Sequence, residues 1–174
     1  MNITYRKLTA VNAPSYRAIR LESIKAHPES FCAVYEEQKQ LPKLMFEQAL
    51  ENGVTLIDSR FVVGAFDGDT LIGICGFVPL AQDGNAGELI QVYVRAAYSG
   101  RKIGLGLVKT AVSQAFTIPS IQQIILDVKK GNTNAIRVYE QAGFQPHIAT
   151  KEIAGMRDDA HLRMSIKKES ASIP

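Results

Sequence analysis

Apolar residues recur along this chain in two rhythms, one alternating and one with a helical spacing, and the switches between them mark out its elements. ITYRKL at residues 3–8 alternates and predicts a first strand. From Asn12 the period lengthens, predicting a helix to about His27 with Asn12 as cap and Pro14 in its first turn. Pro28 disfavours a helical His27, so HPESF at 27–31 is expected as a loop. Leu41, Leu44, Met45 and Ala49 share one face of a second helix predicted over about 41–51. RFVVGAFDGDTLIGICGFVPL at 60–80 reads as a hairpin turning at Asp67-Gly68 between two apolar runs.

The second half repeats a strand–turn–helix theme. A strand is predicted at 88–94, then a helix at 103–117 with the apolar pairs Leu107/Val108, Ala111/Val112 and Ala115/Phe116. IQQIILDV at 121–128 is almost continuously apolar, as suits a strand covered on both faces. Ala135, Val138, Tyr139 and Ala142 then form one stripe of a helix over 133–142, which Gly143 ends. Strands near 144–153 and 159–168 complete the pattern. The order β-α-α-β-β-β-α-β-α-β-β predicts one α/β domain over 1–168, with a mixed sheet of about seven strands and helices on both faces. Residues 169–174 are expected to form a flexible tail.

Composition narrows the partners more than the fold. With 46% apolar and 21% charged residues, the chain has the balance of a soluble globular protein. The net charge of +3 is spread out rather than gathered on one face, which argues against a nucleic-acid partner. Cys32 and Cys75 do not suggest a disulfide framework, so a reducing compartment is expected. MNITYRKL lacks the apolar core of a signal peptide, and no stretch approaches the roughly 18 apolar residues of a membrane span. A cytoplasmic protein without a membrane partner is the expectation. His27, His147 and His161 are scattered, so no metal is expected, and a homodimer is the general prior.

Candidate chemistry lies in the two strand–turn–helix units. After Val94 the chain reaches Gly100, then Gly104 and Gly106 as a helix begins. Helix-opening amides have no internal partner and carry the positive end of the dipole, so a pyrophosphate can bind them, with Arg101 and Lys102 adding charge. The same pattern serves equally as an ordinary turn that uses glycine for geometry. GLGLVK lacks the third glycine of a dinucleotide fingerprint, and no G-K-[ST] occurs. In the second unit, LDVKKGNTNAIRVYEQAGF at 126–144, Asn132 can open the helix and meet a ligand, and small Ala135 lets something approach. Tyr139 holds a phenol at a fixed point beside a strand end; it is equally a core aromatic on an apolar stripe.

Together the units resemble the GNAT superfamily of N-acetyltransferases. The family's V-x-P-x-Y-R-G-x-G-I-G-x-x-L stands against V-R-A-A-Y-S-G-R-K-I-G-L-G-L from Val94 to Leu107, with Ala96, Ser99 and Lys102 in place of proline, arginine and glycine. A second register, R-K-I-G-L-G from Arg101 to Gly106, satisfies the family's Q/R-x-x-G-x-G/A rule but takes Leu107 out of helix phase, so the first is preferred. The later segment L-x-V-x-x-x-N-x-x-A-x-x-x-Y-E-x-x-G-F is matched by Leu126, Val128, Asn132, Ala135, Tyr139, Glu140, Gly143 and Phe144.

The resemblance implies acetyl-CoA lying between fourth and fifth strands that part at a bulge in the fourth. It would touch Val92, Tyr93 and Val94, the loop Ser99, Gly100, Arg101, Lys102, Ile103, Gly104 and Leu105, and Asn132, Ala135 and Tyr139. A primary amine, on a small molecule or a peptide, would attack the thioester directly, with Tyr139 as general acid toward the thiol. A lysine-like amine of pKa ~10.4 is almost wholly protonated at neutral pH, so a base is expected. Asp127, a carboxylate in an apolar strand, is the leading candidate and Glu88 the second; either could instead be paired with a nearby Lys or Arg. Phe31, Tyr35 and Glu36 could line the acceptor site, or simply pack and carry solvated charge. The rival readings are a non-catalytic acyl-CoA sensor of the same fold and a transferase of longer acyl groups.

Overall fold

The computed structural model describes residues 2–31, 33–52, 59–81, 84–147 and 160–168. Along them run β1 (Ile3–Lys7), α1 (Ala13–Ala26), α2 (Pro28–Phe31), α3 (Tyr35–Gln40), α4 (Met45–Asn52), β2 (Phe61–Asp67) and β3 (Thr70–Pro79). They continue as β4 (Ala86–Val94), α5 (Ile103–Phe116), β5 (Gln123–Lys129), α6 (Thr133–Gln141), β6 (Gln145–Pro146) and β7 (His161–Lys167). The seven strands form one sheet in the order β1-β2-β3-β4-β5-β7-β6. Only β4 and β5 run parallel; every other neighbouring pair is antiparallel.

Alternation along the strands explains why the central ones are apolar throughout. In β2, Val63 and Ala65 join a core with Leu107, Val108, Ala111 and Val112 of α5. Their neighbours Val62 and Phe66 face the other way, into a core with Tyr16 and Ile19 of α1 and Phe46 and Leu50 of α4. The sheet is therefore covered on both faces, as the near-continuous apolar runs of β2 and β3 require. Phe46 is fully buried, and truncating such a side chain to alanine costs about 3–5 kcal/mol.

Several local expectations are corrected. HPESF is not an irregular loop: His27 leaves the helical region at ψ 60 because proline follows, and Pro28 then opens the one-turn α2. The helix expected over 41–51 starts late. Leu41 adopts ψ 134 before Pro42 and ends α3, and α4 begins only at Met45. This rotates the inner face. Leu44, Phe46, Ala49 and Leu50 are buried, whereas Leu41 and Met45 are exposed. The hairpin turns one residue later than expected, with Asp67 paired to Thr70 and Gly68 at φ +58. Asn12 holds the N-cap position of α1 as expected, but its side chain turns back instead of capping the helix: Oδ1 accepts from the Thr9 amide (3.0 Å) and Arg6 (3.2 Å), closing a 3₁₀ turn ahead of it. Of the strand expected at 144–153, Gln145–Pro146 is seen, and 148–159 lie outside the described residues, as do Cys32 and the tail 169–174.

Candidate functional site

The site grows from an irregularity in β4. Gly76 of β3 pairs with Ile90, but Ile74 pairs with Tyr93, so β4 spends one residue more than β3 over this stretch. Gln91 absorbs the excess at φ +57, a left-handed conformation that costs a non-glycine residue roughly 1–3 kcal/mol. β5 pairs with β4 only from Ala86 to Glu88. Beyond Glu88, β4 has no strand partner on that side among the described residues, and the edge formed by Val92, Tyr93 and Val94 carries backbone groups that an extended ligand can meet.

The loop at the mouth of this opening is shaped by two left-handed residues. A 3₁₀ turn at Ala96–Tyr98 leads to exposed Ser99, then Gly100 at φ +76, Arg101, and Lys102 at φ +59. Lys102 occupies a conformation that favours glycine, at the position where the first sequence register aligns a glycine. The first intrahelical bond of α5 runs from Gly106 N to Lys102 O, so the amides of Ile103, Gly104 and Leu105 have no partner within the helix. The two glycines behind them differ. A Cβ on Gly104 would meet nothing nearer than Val94 at 3.9 Å, whereas one on Gly106 would lie 2.3 Å from the Tyr5 ring. Gly104 keeps an approach to the helix open; Gly106 makes room for the half-buried Tyr5.

α6 brings the second set of predicted residues. Asn132 caps it, its side chain accepting from the Ala135 amide at 3.2 Å, and Ala135 is half-buried. Tyr139 has the buried ring expected of a core aromatic, edge-on to Phe144 at 6.1 Å. Its hydroxyl nevertheless makes no hydrogen bond among the described residues. Burial, and then the nearby Cys75, push its pKa well above the usual phenol range. The phenol therefore stays protonated at neutral pH and keeps its proton available for donation. Cys75 is itself buried as a free thiol and pushed up to about 12 by burial.

The two carboxylates part company. Asp127 faces Arg163 across the β5–β7 ladder and is held in a two-pronged pair, Nε to Oδ1 at 2.8 Å and Nη2 to Oδ2 at 2.7 Å. Both its oxygens are occupied, which is the ion-pair reading that the sequence left open. Glu88 sits half-buried where the splay starts, with no hydrogen-bond partner among the described residues. Its pKa is raised, first by burial and then by the Asp127 charge, with Arg163 opposing. Of the two, Glu88 is the carboxylate with a raised pKa and without a hydrogen-bonded partner among the described residues.

On the opposite face the predicted acceptor residues separate. Phe31 lies edge-on to Tyr93 at 6.5 Å, with the Arg20 guanidinium 4.8 Å from its ring and His27 6.1 Å from Tyr93. Tyr35 stands between Lys25 (5.6 Å) and Lys39 (5.8 Å), and Glu36 is exposed beside it. Sequence reasoning missed Tyr16, whose hydroxyl donates to Gln91 Oε1 at 2.8 Å. It also missed Glu22, which accepts from Tyr93 (3.0 Å) and Arg95 (3.0 Å), and Arg163. Each acts across dozens of residues, so no local signal marks it. Among the described residues, no group of His, Cys, Asp and Glu could hold a metal, and no helix is long and apolar enough to cross a membrane.

The chain is matched over residues 21–144 by the family model described as the acetyltransferase (GNAT) family. An uncharacterized N-acetyltransferase of Methanocaldococcus jannaschii is 27% identical over 143 residues, covering 82% of this chain and 88% of that protein. The PaiA N-acetyltransferase of Thermoplasma acidophilum, solved with coenzyme A, shares the fold at TM-score 0.70 and 21% identity, over 96% of this chain and 99% of that one. The spermidine N-acetyltransferase of Vibrio cholerae, solved with coenzyme A and spermine, does so at TM-score 0.65 and 16% identity, over 97% of each chain.

Proposed function

The chain belongs to the acetyltransferase (GNAT) family, and from that premise we propose that it moves the acetyl group of acetyl-CoA to a primary amine by direct attack on the thioester. The observation that carries the reading is the coincidence of three features. β4 and β5 separate beyond Glu88, the bulge at Gln91 turns the exposed edge, and the open amides of α5 stand at the same end of β4. These suit a molecule with an extended arm and a diphosphate.

When bound, acetyl-CoA supplies an activated acyl carbon and a thiolate leaving group. The amides of Ile103, Gly104 and Leu105 would hold the diphosphate, with Gly100 and Lys102 bending the loop toward it and Arg101 adding charge. Peptide groups of Val92 to Val94 would line the pantetheine arm and offer a donor to charge developing on the carbonyl oxygen. Glu88, unpaired and with raised basicity, takes the proton that the ammonium must lose before its nitrogen can attack. Tyr139 faces the other end of the reaction. A phenol pushed well above its usual range cannot readily give its proton to a thiolate of pKa ~8.5, so it acts as a hydrogen-bond donor that stabilises the departing sulfur.

The test is a steady-state assay of free thiol release from acetyl-CoA against a panel of amines that includes polyamines, aminoglycosides, amino acids and peptide termini. Saturable turnover with at least one acceptor is expected. Binding heat from coenzyme A without thiol release would instead identify a sensor of the same fold. No heat at all would remove the proposed cofactor site.

A further inference from the structure

We propose that Tyr16 is a positioning residue for this reaction: its hydroxyl, hydrogen-bonded to Gln91, holds the β4 bulge that aims the Val92–Val94 peptide groups into the splay. The inference rests on the transferase reading for its kinetic consequence, but the lock itself is a feature of the free protein.

The Tyr16 hydroxyl answers to the Phe46 backbone as well as to Gln91, so it ties the start of α4 to the bulge. The side chain is completely buried, and a phenylalanine would fill the same core volume. Its ring is clamped edge-on against Phe46, with centroids 6.0 Å apart and planes at 84°. Phe46 is itself admitted because Gly76 has no side chain; a Cβ there would lie 2.8 Å from the Phe46 ring and 3.2 Å from the Ile90 carbonyl. A buried phenol needs an acceptor, and here the acceptor is the side chain of the residue whose backbone is strained.

Gln91 is held from its other end as well, with Nε2 3.9 Å from the Met45 sulfur. Further along the same strand, Glu22 of α1 receives Tyr93 Oη and Arg95 Nε, each at 3.0 Å. One helix thus grips β4 at Gln91 and Tyr93 and the chain just past it at Arg95. Glycine adopts a positive φ freely and glutamine only under strain, so the hydrogen bond opposes a relaxation of Gln91 that would slide the bulge and turn the neighbouring peptides away.

The experiment compares wild-type protein, Tyr16→Phe, and Tyr16→Phe combined with Gln91→Gly. Three readouts are taken: amide hydrogen exchange over residues 89–94, coenzyme A affinity by calorimetry, and kcat with an amine accepted by the wild type. Tyr16→Phe is expected to speed exchange in this stretch and lower kcat, each by about tenfold, with coenzyme A affinity within about threefold of wild type. Adding Gln91→Gly should return kcat to within about threefold of wild type, since glycine keeps the left-handed conformation without a tether. Unchanged exchange in Tyr16→Phe overturns the lock, and a loss of kcat that glycine does not restore reduces Tyr16 to a core filler. A wild type that turns over no amine defeats the transferase reading instead, and the exchange measurement still decides whether the lock exists.

Discussion

The two faces of the sheet solve different problems with different materials. On the face carrying α5 and α6, the candidate site is made of peptide groups: open amides at a helix start, two left-handed loop residues, and a strand edge without a partner. On the face carrying α1 and α4 it is made of side chains from distant elements, with Tyr16 on Gln91, Glu22 on Tyr93 and Arg95, and Phe31 on Tyr93. Backbone recognition needs few particular residues beyond glycines and a helix start. Side-chain recognition can change with every substitution. This contrast suits one half that takes an invariant cofactor and another that chooses an acceptor.

The comparison is broken most severely at Glu88. Glu88→Gln should lower kcat by about 10²-fold or more by removing the base, with coenzyme A binding intact in calorimetry. Retained turnover would move proton removal to bulk water or another group. Asp127→Asn sharpens the same point through pH. Rate should fall as Glu88 becomes protonated, and the Asp127 charge helps hold that pKa above the usual carboxylate range. Without that charge the acidic limb of the pH–rate profile should move to lower pH; an unmoved limb would uncouple the two groups.

Next in size is Tyr139→Phe, expected to lower kcat by about tenfold with acetyl-CoA affinity nearly unchanged, because only a donor to the leaving group is lost. Equal turnover would leave Tyr139 as a core aromatic. The glycine pair divides cofactor binding from folding. Gly104→Ala should weaken coenzyme A binding by about tenfold while leaving the free protein as stable or up to ~1 kcal/mol more so, since the helix gains a better former and the Cβ has room. Gly106→Ala should instead lower the melting temperature through its collision with Tyr5. Calorimetry and thermal melts on the two variants would show whether binding and folding separate as stated.

The smallest effect concerns stability alone. Glu88 has a raised pKa in the folded state, so folding favours its protonated form, and its carboxylate weakens the fold above that pKa. Glu88→Gln should therefore melt slightly higher than wild type at neutral pH, with the gap closing as pH falls through the Glu88 titration. A gap of constant size would mean that Glu88 is not desolvated in the way its position indicates.

Much of the peptide-based half was legible in the chain. Val94, Gly100, Gly104 and the run from Leu126 to Phe144 carry local spacing that dictates strand, turn and helix start. The alignment set Lys102 against a glycine, and the structure gives the reason for that glycine: the position has a positive φ. The side-chain half was not legible. Pro42 was the visible warning against one helix over 41–51, and overlooking it misplaced Leu41 and Met45 on the inner face. Asp127 stood out as a lone carboxylate in an apolar strand, but its pairing with Arg163 depends on a strand register that local sequence does not encode.

Apolar periodicity and glycine placement by themselves determined the order of the strands and of the helices after β3, the covered sheet and the loop that opens α5, because these follow from short-range sterics and the burial of regular faces. Only the tertiary structure decided that Gln91 would be left-handed, that Tyr16 would reach it, and that Arg163 would claim Asp127 and leave Glu88 without a hydrogen-bonded partner among the described residues. Those outcomes are contacts between residues from 36 to 75 positions apart, and their energies exist only once the sheet has assembled.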